Sequence, residues 1–133
     1  MKKFAMVFPG QGSQTVGMLA ELAGDYPIVQ ETFKQASEVL GYDLWQLVQE
    51  GPAEELNKTW QTQPALLTAS VAVYRVWQQK YPALKPEVMA GHSLGEYSAL
   101  VCTGVSHRAR PLLPISYTKY LTCTHSSAPG FFF

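Results

Sequence analysis

Val88-Met89-Ala90-Gly91-His92-Ser93-Leu94-Gly95-Glu96 decides how the rest of this chain is read. An apolar triplet runs into a glycine, a serine stands two residues on, and a second glycine follows. Residues 96–102 then carry a helical pattern that Gly104 ends. Gly-x-Ser-x-Gly between a strand and a helix is the setting in which a serine becomes a nucleophile. Such a serine occupies a crowded, strained turn that only glycine on either side relieves, and the turn lifts its hydroxyl above the sheet edge. The amide of Leu94, at the start of the next helix, then points to where an oxyanion develops, and the helix dipole assists it. A chance Gly-x-Ser-x-Gly in a loop is the plain alternative, and the strand and helix on either side favour the nucleophile.

Working outward, Phe4-Ala5-Met6-Val7-Phe8 is a continuous apolar run that stops at Pro9-Gly10. It predicts a strand buried on both faces, as in a parallel sheet. Residues 9–13 form a loop, and Val16–Ala23 starts the first helix. Pro27 opens a second, in which Val29, Phe33, Ala36 and Leu40 recur at helical spacing until Gly41 stops it. Asp43 caps a short helix through Val48, which Gly51-Pro52 ends. Leu66, Ser70, Val73 and Trp77 predict a further helix over 64–79, starting at Pro64, and Tyr81–Pro86 connects it to the strand Val88–Ala90. Strand, several helices, strand, sharp turn and helix is the order of an α/β protein with a parallel sheet. After Ser106 no helix or strand is expected, because Pro111, Pro114 and Pro129 interrupt every period.

The composition is that of one globular domain: 133 residues, 47% hydrophobic, ten basic and ten acidic side chains, net charge zero. No basic face invites nucleic acid. Every acidic residue lies at or before Glu96, so the rest of the chain carries only Arg108, Arg110 and Lys119. Cys102 and Cys123 have no metal-ligand spacing and make no disulfide framework, which makes a reducing cytoplasm the default location. The apolar run behind Lys2-Lys3 is shorter than the ~7–15 residues of an export signal. No stretch approaches the ~20 apolar residues of a membrane span.

Pro9-Gly10-Gln11-Gly12-Ser13-Gln14 invites a phosphate-binding reading, but its spacing does not fit. Gly10, Gly12 and Gly17 do not make Gly-x-Gly-x-x-Gly, and no Gly-Lys-Ser/Thr follows. A glycine loop equally brings a backbone amide close to another loop, and the second oxyanion donor of serine acyl-enzymes comes from the loop after an early strand.

Three stretches in order, Phe8-Pro9-Gly10-Gln11-Gly12-Ser13-Gln14, Thr62-Gln63-Pro64-Ala65 and Gly91-His92-Ser93-Leu94-Gly95-Glu96, resemble the bacterial malonyl-CoA:acyl-carrier-protein transacylases of fatty-acid synthesis. The likeness runs through residue 105, the first third or so of that family's domain. Residues 1–105 are thus expected to be the N-terminal part of a malonyl/acyl transferase domain, and 106–133 an unassigned, disordered tail. The resemblance implies an incomplete parallel-sheet acyltransferase core, α/β-hydrolase-like, with a strand–nucleophile elbow–helix unit. It implies ping-pong transfer of malonyl from malonyl-CoA to the phosphopantetheine thiol of acyl carrier protein through Ser93. Gln11 and Leu94 would supply the oxyanion-hole amides. Gln63 and His92 would belong to the substrate pocket, with His92 supporting the turn and not acting as base. A polar residue at a helix start is the plain alternative for Gln63. No metal or other cofactor is expected, and neither nucleic acid nor membrane is a partner.

The family's base is a histidine far downstream, and an arginine on a later helix pairs with the malonyl carboxylate. Here His107 and His125 lie where the likeness has stopped, and Arg108 and Arg110 come too soon after the turn. A reading-frame shift or truncation would produce the change after Val105, and a genuine alternative C-terminus is the other reading. Two competing functions remain open. A serine hydrolase or esterase would need an acid and a histidine after the serine, and no acid follows Glu96. A non-catalytic remnant of the transferase would need neither.

Overall fold

Two short parallel strands carry the Ser93 turn, while packed helices supply nearly all of the core. The computed structural model describes residues 3–104. The expectations for His107, His125, Arg108, Arg110 and the tail 106–133 fall outside the described residues. In chain order the elements are β1 (Ala5–Phe8), α1 (Ala20–Asp25), α2 (Ile28–Leu40), α3 (Leu44–Glu50), α4 (Ala53–Leu56), α5 (Thr59–Lys80), β2 (Val88–Gly91) and α6 (Gly95–Cys102).

β1 and β2 pair in parallel with Ala5 opposite Val88, Met6 opposite Met89, Val7 opposite Ala90 and Phe8 opposite Gly91. Alternation puts Met6, Phe8, Met89 and Gly91 on the covered face. The other face holds Ala5, Val7, Val88 and Ala90, all exposed, with Val7 at 71% and Val88 at 56%. The expectation of strands buried on both faces is therefore corrected for the described residues. An unbroken apolar run makes both faces apolar, but α6 covers only one of them.

The helices follow their caps. Gly41 at φ 82 ends α2, donating its N–H to Ser37 O at 2.8 Å. Asp43 opens α3, its carboxylate accepting from Gln46 N at 2.9 Å, as an N-cap does. The first helix starts four residues later than Val16, at Ala20. Gly17 at φ 87 and Leu19 at φ 64 are left-handed, a backbone that a right-handed helix cannot contain. α4 is a single turn that the apolar spacing did not reveal.

The largest difference concerns α5. It starts at Thr59 and runs 22 residues, with Pro64 inside it. So close to the N-terminus a proline removes one intrahelical bond, the one its nitrogen would have given to the carbonyl of Trp60. The hydroxyl of Thr62 meanwhile turns back onto the carbonyl of Leu56. Gln63 therefore lies in the second turn of a helix and not at its start.

α2 and α5 form the core. Val29, Phe33, Ala36 and Leu40 of α2 form one buried cluster with Ala65, Leu67, Ala72 and Val76 of α5, which also takes in Leu44 and Val48 of α3 and Leu56 of α4. Phe33 meets Trp45 edge-on at 5.0 Å between centroids. Beside the sheet, Phe4 packs on Trp77 of α5 at 5.3 Å. No helix among the described residues is long and apolar enough to cross a membrane.

Candidate active site

Gly91 to Gly95 is a turn too tight for side chains at its two ends. A Cβ on Gly91 would stand 1.9 Å from the carbonyl carbon of Gly95, and one on Gly95 would stand 2.2 Å from Phe8 O. The chain thus doubles back on itself between β2 and α6 and presses α6 onto the end of β1. Ser93, in the middle, has φ 54, a left-handed backbone that costs an L-residue roughly 1–2 kcal/mol. Its side chain is exposed. Leu94 follows as the residue before α6 and is 5% exposed, so it anchors the turn in the protein while Ser93 faces out.

The glycine loop after β1 lies directly against this turn. A Cβ on Gly10 would come within 2.7 Å of His92 O, 3.2 Å of His92 Nδ1 and 3.4 Å of Ser93 Cβ. Only a residue without a side chain permits that approach. His92 N donates to Phe8 O at 3.2 Å, a bond that ties the turn to the strand end. Gly95 N and Glu96 N close the turn on His92 O and Ser93 O at 2.9 and 3.0 Å. The amides of Gln11 and Leu94 have no acceptor among the described residues.

The loop is linked in turn to α5. Gln11 Nε2 donates to Thr59 Oγ1 at 3.3 Å. Gln63 stands four residues after Thr59, hence on the same face of the helix, and is half-buried. The residues singled out in the sequence therefore gather as a cluster of Ser93, His92 and Leu94 with the Gly10–Gln11 loop against it, and Gln63 one helical turn beyond the Gln11 contact. No side chain among the described residues bonds to Ser93 Oγ, and His92 is the one histidine described. No group of three or more His, Cys, Asp or Glu among the described residues could hold a metal ion. Two clefts, one at Gly17–Asp25 and one between α2 and α3 beside Lys34 and Trp45, do not include Ser93.

Sequence reasoning missed the side chains that hold the loop: Gln14, which accepts from Gly12 N at 2.8 Å and donates to Asn57 Oδ1 at 2.9 Å, and Thr59. Gln14 was visible as the last residue of the glycine motif. Asn57 and Thr59 carried no signal, since they meet the loop only through the chain's tertiary path.

Comparison with known proteins identifies the family. The model of the acyl transferase domain family matches residues 5–124, a span that runs past Val105. The malonyl CoA-acyl carrier protein transacylase of Haemophilus influenzae is 86% identical over 105 residues, 79% of this chain and 34% of that protein. The chain thus spans about a third of the length of the curated relatives it matches. An acyl carrier protein S-malonyltransferase from Vibrio cholerae superposes with a TM-score of 0.86 at 61% identity, covering 92% of this chain and 39% of that one. A malonyl-transacylase solved in complex with a type II PKS acyl-carrier protein gives 0.79 at 63% identity, over 91% and 37% of the two chains. With residues 5–124, nine-tenths of the chain, matched by the family model, the chain belongs to the acyl transferase domain family.

Proposed function

We propose that this chain carries the nucleophilic part of an acyl transferase that moves a malonyl group from malonyl-CoA to the phosphopantetheine thiol of acyl carrier protein. Ser93 Oγ would attack the thioester carbonyl, the carbon–sulfur bond would break, and coenzyme A would leave with the proton as a free thiol. The carrier thiol would then attack the serine ester, and Ser93 would regain its proton as the carbon–oxygen bond breaks. The backbone amides of Gln11 and Leu94 would receive the oxyanion in both halves, a contribution typically worth about 10²–10³ in rate per donor. Gln63 and His92 would line the acyl pocket, and the unit from β2 to α6 is read as a nucleophile elbow on an incomplete α/β-hydrolase-like core.

One observation carries this reading: an exposed serine at positive φ, held between two obligatory glycines, with a glycine loop so near that a Cβ on Gly10 would lie 3.4 Å from Ser93 Cβ. The names of the relatives supply the acyl group and its acceptor. A serine hydroxyl needs a base beside it, and none bonds to Ser93 among the described residues. The test therefore joins this chain to the downstream two-thirds of the Haemophilus influenzae relative. Incubation with malonyl-CoA should give a covalent malonyl adduct by intact mass spectrometry, and Ser93→Ala should remove it. An adduct that persists on the Ala variant sinks the assignment.

A further inference from the structure

Beyond Gly10, which is buried against the Ser93 turn, the loop that carries the Gln11 amide has almost no packing of its own. Gly12 sits at φ 108 with nothing within 4 Å of where a Cβ would be, and residues 11–13 are exposed. Hydrogen bonds hold it instead. Gly12 N donates to Gln14 Oε1 at 2.8 Å, and Gln14 Nε2 donates to Asn57 Oδ1 at 2.9 Å. The anchor at the far end is firm. Asn57 N closes α4 on Ala53 O at 2.9 Å, and the neighbouring Leu56 is 1% exposed. The direction of the relay is forced. A backbone N–H can only donate, so Gln14 must turn its oxygen to Gly12 and its amide nitrogen to Asn57, which must then accept.

We propose that Gln14 is a positioning residue, which clamps the Gly10–Ser13 loop to the α4–α5 junction and so holds the Gln11 amide against the Ser93 turn. The proposal rests on the acyl-transfer reading above. Gly12 N–H belongs to peptide 11–12, which shares Gln11 Cα with the peptide that bears the Gln11 donor, so fixing Gly12 N–H fixes the adjoining plane, and an oxyanion donor contributes only when it is aimed.

The clamp predicts a pattern that a merely solvated loop would not give. In the fusion with the downstream part of the Haemophilus influenzae relative, Gln14→Ala lowers kcat about 10- to 100-fold, with KM for malonyl-CoA within about twofold. Gln14→Glu keeps an acceptor for Gly12 N, and Asn57 can turn its amide nitrogen to the new carboxylate. Asn57→Asp keeps an acceptor for Gln14 Nε2. Each of these alone lowers kcat by less than about threefold, whereas the two together oppose two carboxylates and reproduce the Gln14→Ala loss, a non-additive result. In the 133-residue chain itself, Gln14→Ala speeds amide exchange at Gly12 while Phe33 and Leu67 keep their protection, which separates the loop from global unfolding. A double variant as active as the two singles, or Gln14→Ala with unchanged kcat, overturns the clamp. Ser93→Ala run alongside separates the two ideas: if it too retains transfer, the acyl-transfer reading has failed, and if it alone abolishes transfer while Gln14→Ala keeps it, only the clamp has.

Discussion

Ser93 keeps a left-handed backbone although it bears a side chain, and its neighbours explain why that persists. Two glycines leave the turn no other path, and the bonds from Gly95 N and Glu96 N close it behind the serine. At the same scale two other residues carry a testable cost. Burial pushes the Tyr42 phenol up to about 12 and the Cys102 thiol up to about 12, from ordinary values of 10.0 and 9.0. Both are neutral acids in the fold, and the unfolded chain loses their protons first as pH rises. Their contribution to stability is therefore complete below pH 9 and lost between there and 12. The urea midpoint should hold level from pH 7 to 9 and then fall. Because Tyr42 OH is buried without a hydrogen-bond partner among the described residues, Tyr42→Phe should be neutral or stabilising by up to about 1 kcal/mol at pH 7. It should also make the alkaline fall shallower. A Phe variant that loses 2 kcal/mol or more, in units where a typical hydrogen bond contributes about 1, would show that the hydroxyl is bonded after all.

At the scale of elements, the site is made by an interface that side chains would prevent. α6 meets the end of β1 through Gly95, whose missing Cβ would lie 2.2 Å from Phe8 O and 3.0 Å from Pro9 O. Gly95→Ala forces α6 away from the strand, and backbone on both sides leaves no flexible atom to yield. The expected loss is about 2–4 kcal/mol, at the upper end of overpacking costs, measured as a lower urea midpoint with unchanged slope. An Ala variant with wild-type stability would mean that the strand end and α6 stand further apart. α5 teaches a different lesson. Its start at Thr59 was hidden because Pro64 reads as a first-turn residue, whereas the helix begins after Lys58, whose side chain makes no cap hydrogen bond, and Thr62 in its first turns bonds back to Leu56 O.

For the whole molecule, the sheet is the exposed part. Ala5, Val7, Val88 and Ala90 form one bare apolar face on a two-stranded ribbon, beside a helical core that is well closed. Two strands among the described residues leave unpaired edges, and bare apolar faces next to open edges drive association. The 133-residue chain should sediment above monomer mass at micromolar concentration. Val7→Thr with Val88→Thr should shift it toward monomer while leaving far-ultraviolet helicity unchanged. Monomeric behaviour of the unmodified chain would show that this face is already covered.

Helix identity in α2 and α3, the strand pair and the Ser93 turn were legible because each depends on neighbours in sequence: a 3.6-residue apolar period, a capping Asp43, a positive-φ Gly41 and a serine between two glycines. The family was legible for the same reason, since its three motifs are local strings. What only the tertiary structure decided is how distant segments meet: Gly10 so near the Ser93 turn that no side chain fits between them, Gln14 bonded to Asn57, Gln11 to Thr59, and which face of the sheet stays open. An apolar strand reads alike whether one side or both are covered, and a glutamine reads alike whether it is solvated or clamped. Those differences are set by chain segments more than forty residues apart, and no local periodicity records them.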